Sequence, residues 1–274
     1  MLAECVERNR NSPASEQIFR LSRLFGQNCG FERSLKLSGG HLDASRFLIS
    51  ASLDGISPPV LARMFEALTH IGIPAAFADE MKSRIGQASF IHFGYEEGRS
   101  GPVCKTYLEF DAPNGDAAHP LVHASFKWEM GSSAGGAADE YRRLPVLDEA
   151  ALDALLERHA ALLPAKDAPF AEACRNMIGF LRSRSSLPAR DLYVLEVRRR
   201  EGGRASFDLR TYEFDCTLAE IAPLIQPLVG AAHMPLFASH MREHGHAALG
   251  HVAFGTGSDG RAFATLYHGA KELA

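Results

Sequence analysis

Several stretches of this 274-residue chain alternate apolar and polar residues with period two, and the polar positions carry cations, phenols and carboxylates. In residues 43–53, Phe47, Ile49, Ala51 and Leu53 fall on one side, with Arg46, Leu48, Ser50 and Ser52 opposite. In 103–110, Cys104, Leu108 and Phe110 oppose Lys105, Tyr107 and Glu109. Residues 121–130 set Phe126 and Trp128 against His123, Ser125, Lys127 and Glu129. Residues 204–214 set Phe207 and Leu209 against Asp208, Arg210, Tyr212 and Phe214. The same alternation places Glu32, Ser34 and Lys36 on one side of 31–38, and Phe263, Thr265 and Tyr267 on one side of the last strand. Two arrangements account for such a face. It is solvated, as is commonest for an antiparallel sheet, or the sheet closes and the face lines an interior. In the second case the buried arginine and lysine require an anionic partner, because an unpaired buried charge is costly. The faces alone leave both open.

Three local patterns suggest other chemistry. Residues 255–260 read G-x-G-x-x-G, yet a strand-like run follows them and only 14 residues remain, so the pattern predicts a hairpin turn and not a dinucleotide fold. Residues 131–135 fit the G-x-S-x-G of a nucleophile elbow around Ser133, but they lie in a low-complexity tract between antiparallel strands. His240, His244, His246 and His251 cluster in sequence without an acid or cysteine at a typical zinc spacing. No metal ligand is assigned.

The elements that must position these residues repeat as two strands, a glycine-bearing turn and two helices. Hairpins are predicted at 31–38 with 43–53, 88–97 with 103–110, 191–199 with 204–214, and 247–256 with 261–268, and 121–130 adds one strand. Helices are predicted at 15–26, from Pro58 (capped by Ser57), at 74–85, 147–163, 169–183, 217–229 and 235–243. Antiparallel hairpins alternating with helix pairs imply an α+β fold. One sheet of nine or ten strands carries helices on one face, and a sheet that large tends to close. No composition break divides the chain, which reads as one domain over residues 1–274.

Composition narrows the function classes. Hydrophobic residues make up 46% and charged residues 23%, ordinary for a globular protein. The net charge of −4 argues against nucleic-acid binding through a basic surface. Five cysteines without C-x-x-C spacing read as reduced thiols, and residues 1–10 lack an apolar signal core, so a cytoplasmic location is expected. Residues 221–241 lack charged side chains over a membrane-spanning length. Pro223, Pro227 and Pro235 make two short helices the better reading, with no membrane partner.

The segment 31–38 continuing through 42–48, with Ala44-Ser-Arg-Phe-Leu48 at its centre and Glu32 and Lys36 upstream, resembles the first hairpin of the cyanobactin-type peptide prenyltransferases. Lys105 in Val-Cys-Lys-Thr-Tyr, Tyr212 in Leu-Arg-Thr-Tyr and Tyr267-His268 in Thr-Leu-Tyr-His are similar to further strands of that family, and the order of elements agrees along nearly the whole chain. The resemblance implies the ABBA fold, or PT barrel: about ten antiparallel strands, helices outside, and the site in the lumen. It implies transfer of an allylic prenyl group (dimethylallyl or geranyl) from its diphosphate to a nucleophilic side chain of a peptide, such as a ribosomally made natural product, with Mg²⁺ accompanying the donor. Arg46 and Lys105 would hold the diphosphate, and Lys127 and Arg210 join them by the strand face they occupy and not by motif. Tyr107, Tyr212 and Tyr267 would shield the allyl cation, Glu32 would act as base, and His92 and His268 would line the substrate pocket. Structural pairing is the competing role: Arg46 with Asp43 or Glu109, and Lys105 with Glu109. The alternative function is a non-catalytic barrel that binds an amphipathic small molecule.

Overall fold

The computed structural model describes residues 13–26, 29–98, 101–114, 119–132, 135–163, 165–203, 205–257 and 259–273. Residues 1–10, read above for targeting, and Ser133 of the G-x-S-x-G pattern lie outside them, as does Cys5. In chain order come α1 (Pro13–Arg23), β1 (Cys29–Ser38), β2 (His41–Ser52), α2 (Pro58–His70), α3 (Ala75–Arg84), β3 (Phe90–Glu97), β4 (Pro102–Asn114), β5 (Leu121–Glu129) and β6 (Ala137–Leu144). Then follow α4 (Glu149–Ala161), α5 (Ala168–Arg184), β7 (Val194–Arg199), β8 (Ala205–Arg210), α6 (Leu218–Ile225), α7 (Met234–His244), β9 (Leu249–Thr256) and β10 (Ala262–Leu273). The ten strands hydrogen-bond in the order β1-β10-β9-β8-β7-β6-β5-β4-β3-β2, which closes a barrel. The pairings given by register are antiparallel. This is the α+β barrel that the faces left open and the resemblance implied.

The chain forms two compact units, residues 1–32 with 45–141 and 271–274, and residues 33–44 with 142–270. In the first, the apolar side of the strands meets α1, α2 and α3. Phe47 and Ile49 of β2, Ile91 and Phe93 of β3, Leu108 of β4 and Phe126 of β5 share a core with Ile18, Met64 and Met81. Trp128 is buried in this core and donates its indole N–H to the Ile71 carbonyl at 3.2 Å. In the second, Phe207 and Leu209 of β8, Val252 and Phe254 of β9 and Leu266 of β10 pack with Leu152 of α4, Met177 of α5, Ile221 of α6 and Phe237 of α7. In each unit the helices therefore cover one strand face only. Gly39 and Gly40, at φ +58° and +79°, make the β1–β2 turn in the left-handed conformations a two-residue hairpin requires.

The structure departs from the sequence reading at three places: β6, the end of β8 and the cap of α2. β6 has no predicted counterpart, because its run Ala-Ala-Asp-Glu-Tyr-Arg-Arg-Leu shows little apolar alternation. The strand expected over 204–214 ends at Arg210, and Tyr212 lies in the 3₁₀ turn Tyr212–Phe214. Ser57 occupies the N-cap of α2, but its side chain makes no capping bond. The uncharged stretch 221–241 is α6 and α7 separated by two 3₁₀ turns, and among the described residues no helix is long and apolar enough to cross a membrane. The 255–260 pattern joins β9 to β10 as a hairpin, with Gly257 N–H on the Arg261 carbonyl at 2.8 Å; Ser258 lies outside the described residues.

Candidate functional site

The strand face turned away from the helices carries the polar residues, and register decides which of them meet. In the first unit Leu48 pairs with Gly94 and Ser50 with His92; Gly94 pairs with Lys105, His92 with Tyr107, and Lys105 with Lys127. Glu109 lies opposite Phe90 on one side and His123 on the other. The face is thereby ordered along β4. Lys105, Tyr107 and Glu109 follow one another at every second residue, about 7 Å per step.

At the Lys105 end, three cations converge on one buried carboxylate. Glu96 Oε2 meets Arg46 Nη1 and, at 2.8 Å, Lys105 Nζ, while its Oε1 takes Lys127 Nζ. Arg46 and Glu96 are 7% and 4% exposed, so this is an interior charge cluster. Both Arg46 and Lys105 pair with Glu96, a partner that the sequence reading did not name. Glu96 takes that place because it stands one pair beyond the Phe47–Tyr95 register position, opposite Arg46. Gly94 leaves bare backbone beside this cluster; a Cβ there would meet Lys105 Cβ at 3.3 Å and Leu48 Cδ1 at 3.4 Å. An interior strand glycine is a place where another group can approach the backbone closely.

One step along, the Tyr107 ring stands edge-on to His92 at 6.2 Å and near Tyr141 of β6 at 5.8 Å. At the far end Glu109 Oε2 bonds His92 Nε2 at 2.8 Å and lies 3.4 Å from His123 Nε2; His92 Nδ1 is 2.7 Å from Ser50 Oγ. Burial pushes the Glu109 carboxyl up, but hydrogen bonds and charge from His123 and His92 outweigh it and hold the group well below the usual carboxylate range. Among the described residues, His92, Glu109 and His123 are the group of three metal-capable side chains whose donor atoms lie within 4.8 Å of one another. Glu32 is buried on β1, 8% exposed.

The second unit holds the remaining predicted residues. Tyr267 and Tyr212 each approach the His251 ring edge-on, at 6.0 and 5.0 Å, and His251 Nδ1 bonds Asp208 at 2.8 Å. Tyr212 does so from its turn, 43% exposed, and not from a strand. Arg210 pairs with Glu213 at 2.5 Å, and its guanidinium also lies 5.6 Å from the Tyr193 ring. Lys36 sits over Phe263 at 5.1 Å. His268 is not on the polar face. Alternation from Leu266 turns it to the helix side, where it is fully buried with its Nε2 3.0 Å from His240 Nε2 on α7. Its pocket role is corrected accordingly. Of the histidines that cluster in sequence, His240 and His244 meet, joined by His268, while His251 bonds Asp208.

Four residues of this face were not assigned a site role from sequence: Glu96, Glu109, His123 and Tyr141. Glu109 and His123 were visible on the polar side of their strands, but only register joins them. Tyr141 lies on the strand that had no apolar alternation. The described cysteines are buried free thiols, and burial pushes Cys216 up to about 11, so they offer no activated nucleophile.

No protein-family model matches this chain, and no curated protein matches it. Solved structures do. The 5-dimethylallyltryptophan synthase from Streptomyces coelicolor is 11% identical with a TM-score of 0.61, over 96% of this chain and 93% of that one. NotF, in complex with brevianamide F and DMSPP, is 10% identical with a TM-score of 0.58, over 89% of this chain and 81% of that one. AnaPT from Neosartorya fischeri is 9% identical with a TM-score of 0.55, over 87% and 77%. At these identities the likeness is one of fold: the chain shares the barrel of these proteins.

Proposed function

We propose that this protein transfers an allylic prenyl group from its diphosphate to a nucleophilic side chain of a peptide. The observation that carries the proposal is the convergence of Arg46, Lys105 and Lys127 on a buried carboxylate, one strand step from Tyr107, on the face away from the helices. The shared fold supports it: a structure of the Streptomyces coelicolor synthase contains DMASPP and Trp, and that of NotF contains DMSPP. The peptide acceptor rests on the resemblance of residues 31–48 alone.

The chemistry follows from the residues. Ionising the C–O bond of an allylic diphosphate leaves pyrophosphate, and cations already in place stabilise that charge without reorganising. Arg46 offers a planar fork for phosphate oxygens, and Lys105 and Lys127 offer point charges. Glu96 gathers all three. The allyl cation forms beside Tyr107 and Tyr141, whose rings attract it by up to ~2 kcal/mol each when desolvated; Tyr212 and Tyr267 are proposed for the same role. Glu32, buried on β1, takes the proton that the acceptor loses, and His92 lines the acceptor end.

Mg²⁺ bound to the donor would neutralise diphosphate oxygens. It prefers an octahedron of oxygen ligands. The carboxylate at the cation cluster is engaged by three side chains, so these residues do not form a cage for Mg²⁺. An ion there would ride on the diphosphate.

Incubation with dimethylallyl or geranyl diphosphate and a peptide panel, with and without chelator, tests the proposal by mass. A gain of one prenyl unit is expected, and Arg46→Ala should lower kcat/KM by about 100-fold or more, the scale of losing one preorganised group that stabilises transition-state charge. No mass gain with either donor contradicts the proposal, and donor binding without product favours the binding-protein reading.

A further inference from the structure

We infer that His92, Glu109 and His123 form a binding site for a divalent transition-metal ion, best matched by Zn²⁺, at the end of the polar face remote from the cation cluster. The three come from β3, β4 and β5, and strand register brings them together. Two imidazole nitrogens and one carboxylate suit zinc and its neighbours, not the all-oxygen preference of Mg²⁺. Zinc bound at about 2.0–2.1 Å from each ligand needs neighbouring donors about 3.3 Å apart. The Glu109 oxygen lies 2.8 Å from His92 Nε2 and 3.4 Å from His123 Nε2, and all three donor atoms fall within 4.8 Å of one another. Small side-chain rotations suffice to seat an ion.

A supporting contact is already made. Ser50 Oγ lies 2.7 Å from His92 Nδ1. With an ion bound in place of the Nε2–H, Ser50 Oγ can accept the Nδ1 proton and hold the ring with its Nε2 lone pair toward the metal, as outer groups fix a ligand's tautomer and orientation. All three ligands are partly exposed: the side chains of His92, His123 and Glu109 are 12%, 19% and 32% accessible. An ion can therefore enter. Three protein ligands leave a fourth position open, where water or a heteroatom of a bound molecule can coordinate; the Tyr107 ring stands against His92 and the Tyr141 ring against His123.

The test is equilibrium dialysis of the whole chain against Zn²⁺, with Co²⁺ as a spectroscopic substitute. Expected is one ion per chain, with cobalt showing the visible bands of a four- or five-coordinate site. His92→Ala and His123→Ala should each weaken binding by more than Ser50→Ala, for which about 10-fold is expected, the low end of the ~10–100-fold cost of losing outer-shell support. Glu109→Gln should weaken it while keeping side-chain size, and His92→Gln and His123→Gln serve if an alanine variant loses its circular dichroism. His240→Ala, in the other histidine cluster, should leave binding unchanged. The inference is overturned by absence of stoichiometric binding, by zinc retained in both the His92 and His123 variants, or by binding that disappears with His240. None of these readouts depends on prenyl transfer.

Discussion

Glu96→Gln is expected to lower the thermal midpoint on the order of 10 °C and to regain much of it when pyrophosphate is added. Breaking a buried ion pair by removing one partner costs about 3–5 kcal/mol, and that energy shifts Tm by several degrees in a chain of this size. The cost here lies at the upper end, because one carboxylate faces Arg46, Lys105 and Lys127 together, in a site where Arg46 is 7% exposed. Glutamine keeps the shape and removes the charge that the three cations share. A polyanion that binds the folded state restores the balance and stabilises by mass action. Differential scanning calorimetry with and without pyrophosphate measures both effects. An unchanged midpoint, or a fall that pyrophosphate does not reverse, would mean that the cluster is not an anion site held by a surrogate carboxylate.

The second large effect is on acid stability. Three histidines are buried in neutral form. Desolvation lowers His159 to about 4, helped by Arg158, while His240 at about 4 and His268 at about 3 add mutual repulsion and the charges of His244 and Arg33. Their unfolded reference is about 6.5. Above that value neither state binds the proton, and below it the unfolded chain takes protons that the folded chain refuses. Stability is therefore fully present above pH 6.5 and falls as pH drops toward the folded values. Each group contributes a slope of about 1.4 kcal/mol per pH unit, so the three together give about 4 kcal/mol per unit, against a typical total of 5–15 kcal/mol. Urea unfolding at pH 7 and pH 5.5 should show a loss of several kcal/mol. His159→Leu should reduce the slope by about a third and raise stability at pH 7, because neither ring nitrogen of His159 has a hydrogen-bond partner among the described residues and the ring packs on Phe207 at 5.1 Å. Equal stabilities at the two pH values would contradict this account.

The fold was legible where hydrophobic alternation is strong. The strands carrying Phe47, Phe126, Phe207 and Leu266 show their apolar faces in sequence. β6 was not legible, since Glu140, Tyr141, Arg142 and Arg143 hide its period. Tyr212 was placed on a strand because Arg-Thr-Tyr-Glu-Phe continues an alternation that the chain itself leaves after Arg210. The side occupied by His268 could have been read, since it stands two residues from Leu266 and must share its face. The candidate site divides in the same way. Arg46, Lys105, Lys127 and Tyr107 followed from period two, whereas the partnership of Glu96 with three cations and of Glu109 with two histidines depends on register across β2 to β5. Register is a property of pairs of strands, and no single strand spells it.

The account rests on Arg46, Lys105 and Lys127 taking a diphosphate, and calorimetric titration of inorganic pyrophosphate tests it most directly. The prediction is saturable binding to the whole chain, weakened at least about 10-fold by Lys105→Met and more by Arg46→Ala, with charge-assisted contacts of about 1.5–3 kcal/mol each, and unaffected by Arg261→Ala. Binding that is absent, or that Arg46→Ala and Lys105→Met leave intact, would contradict it.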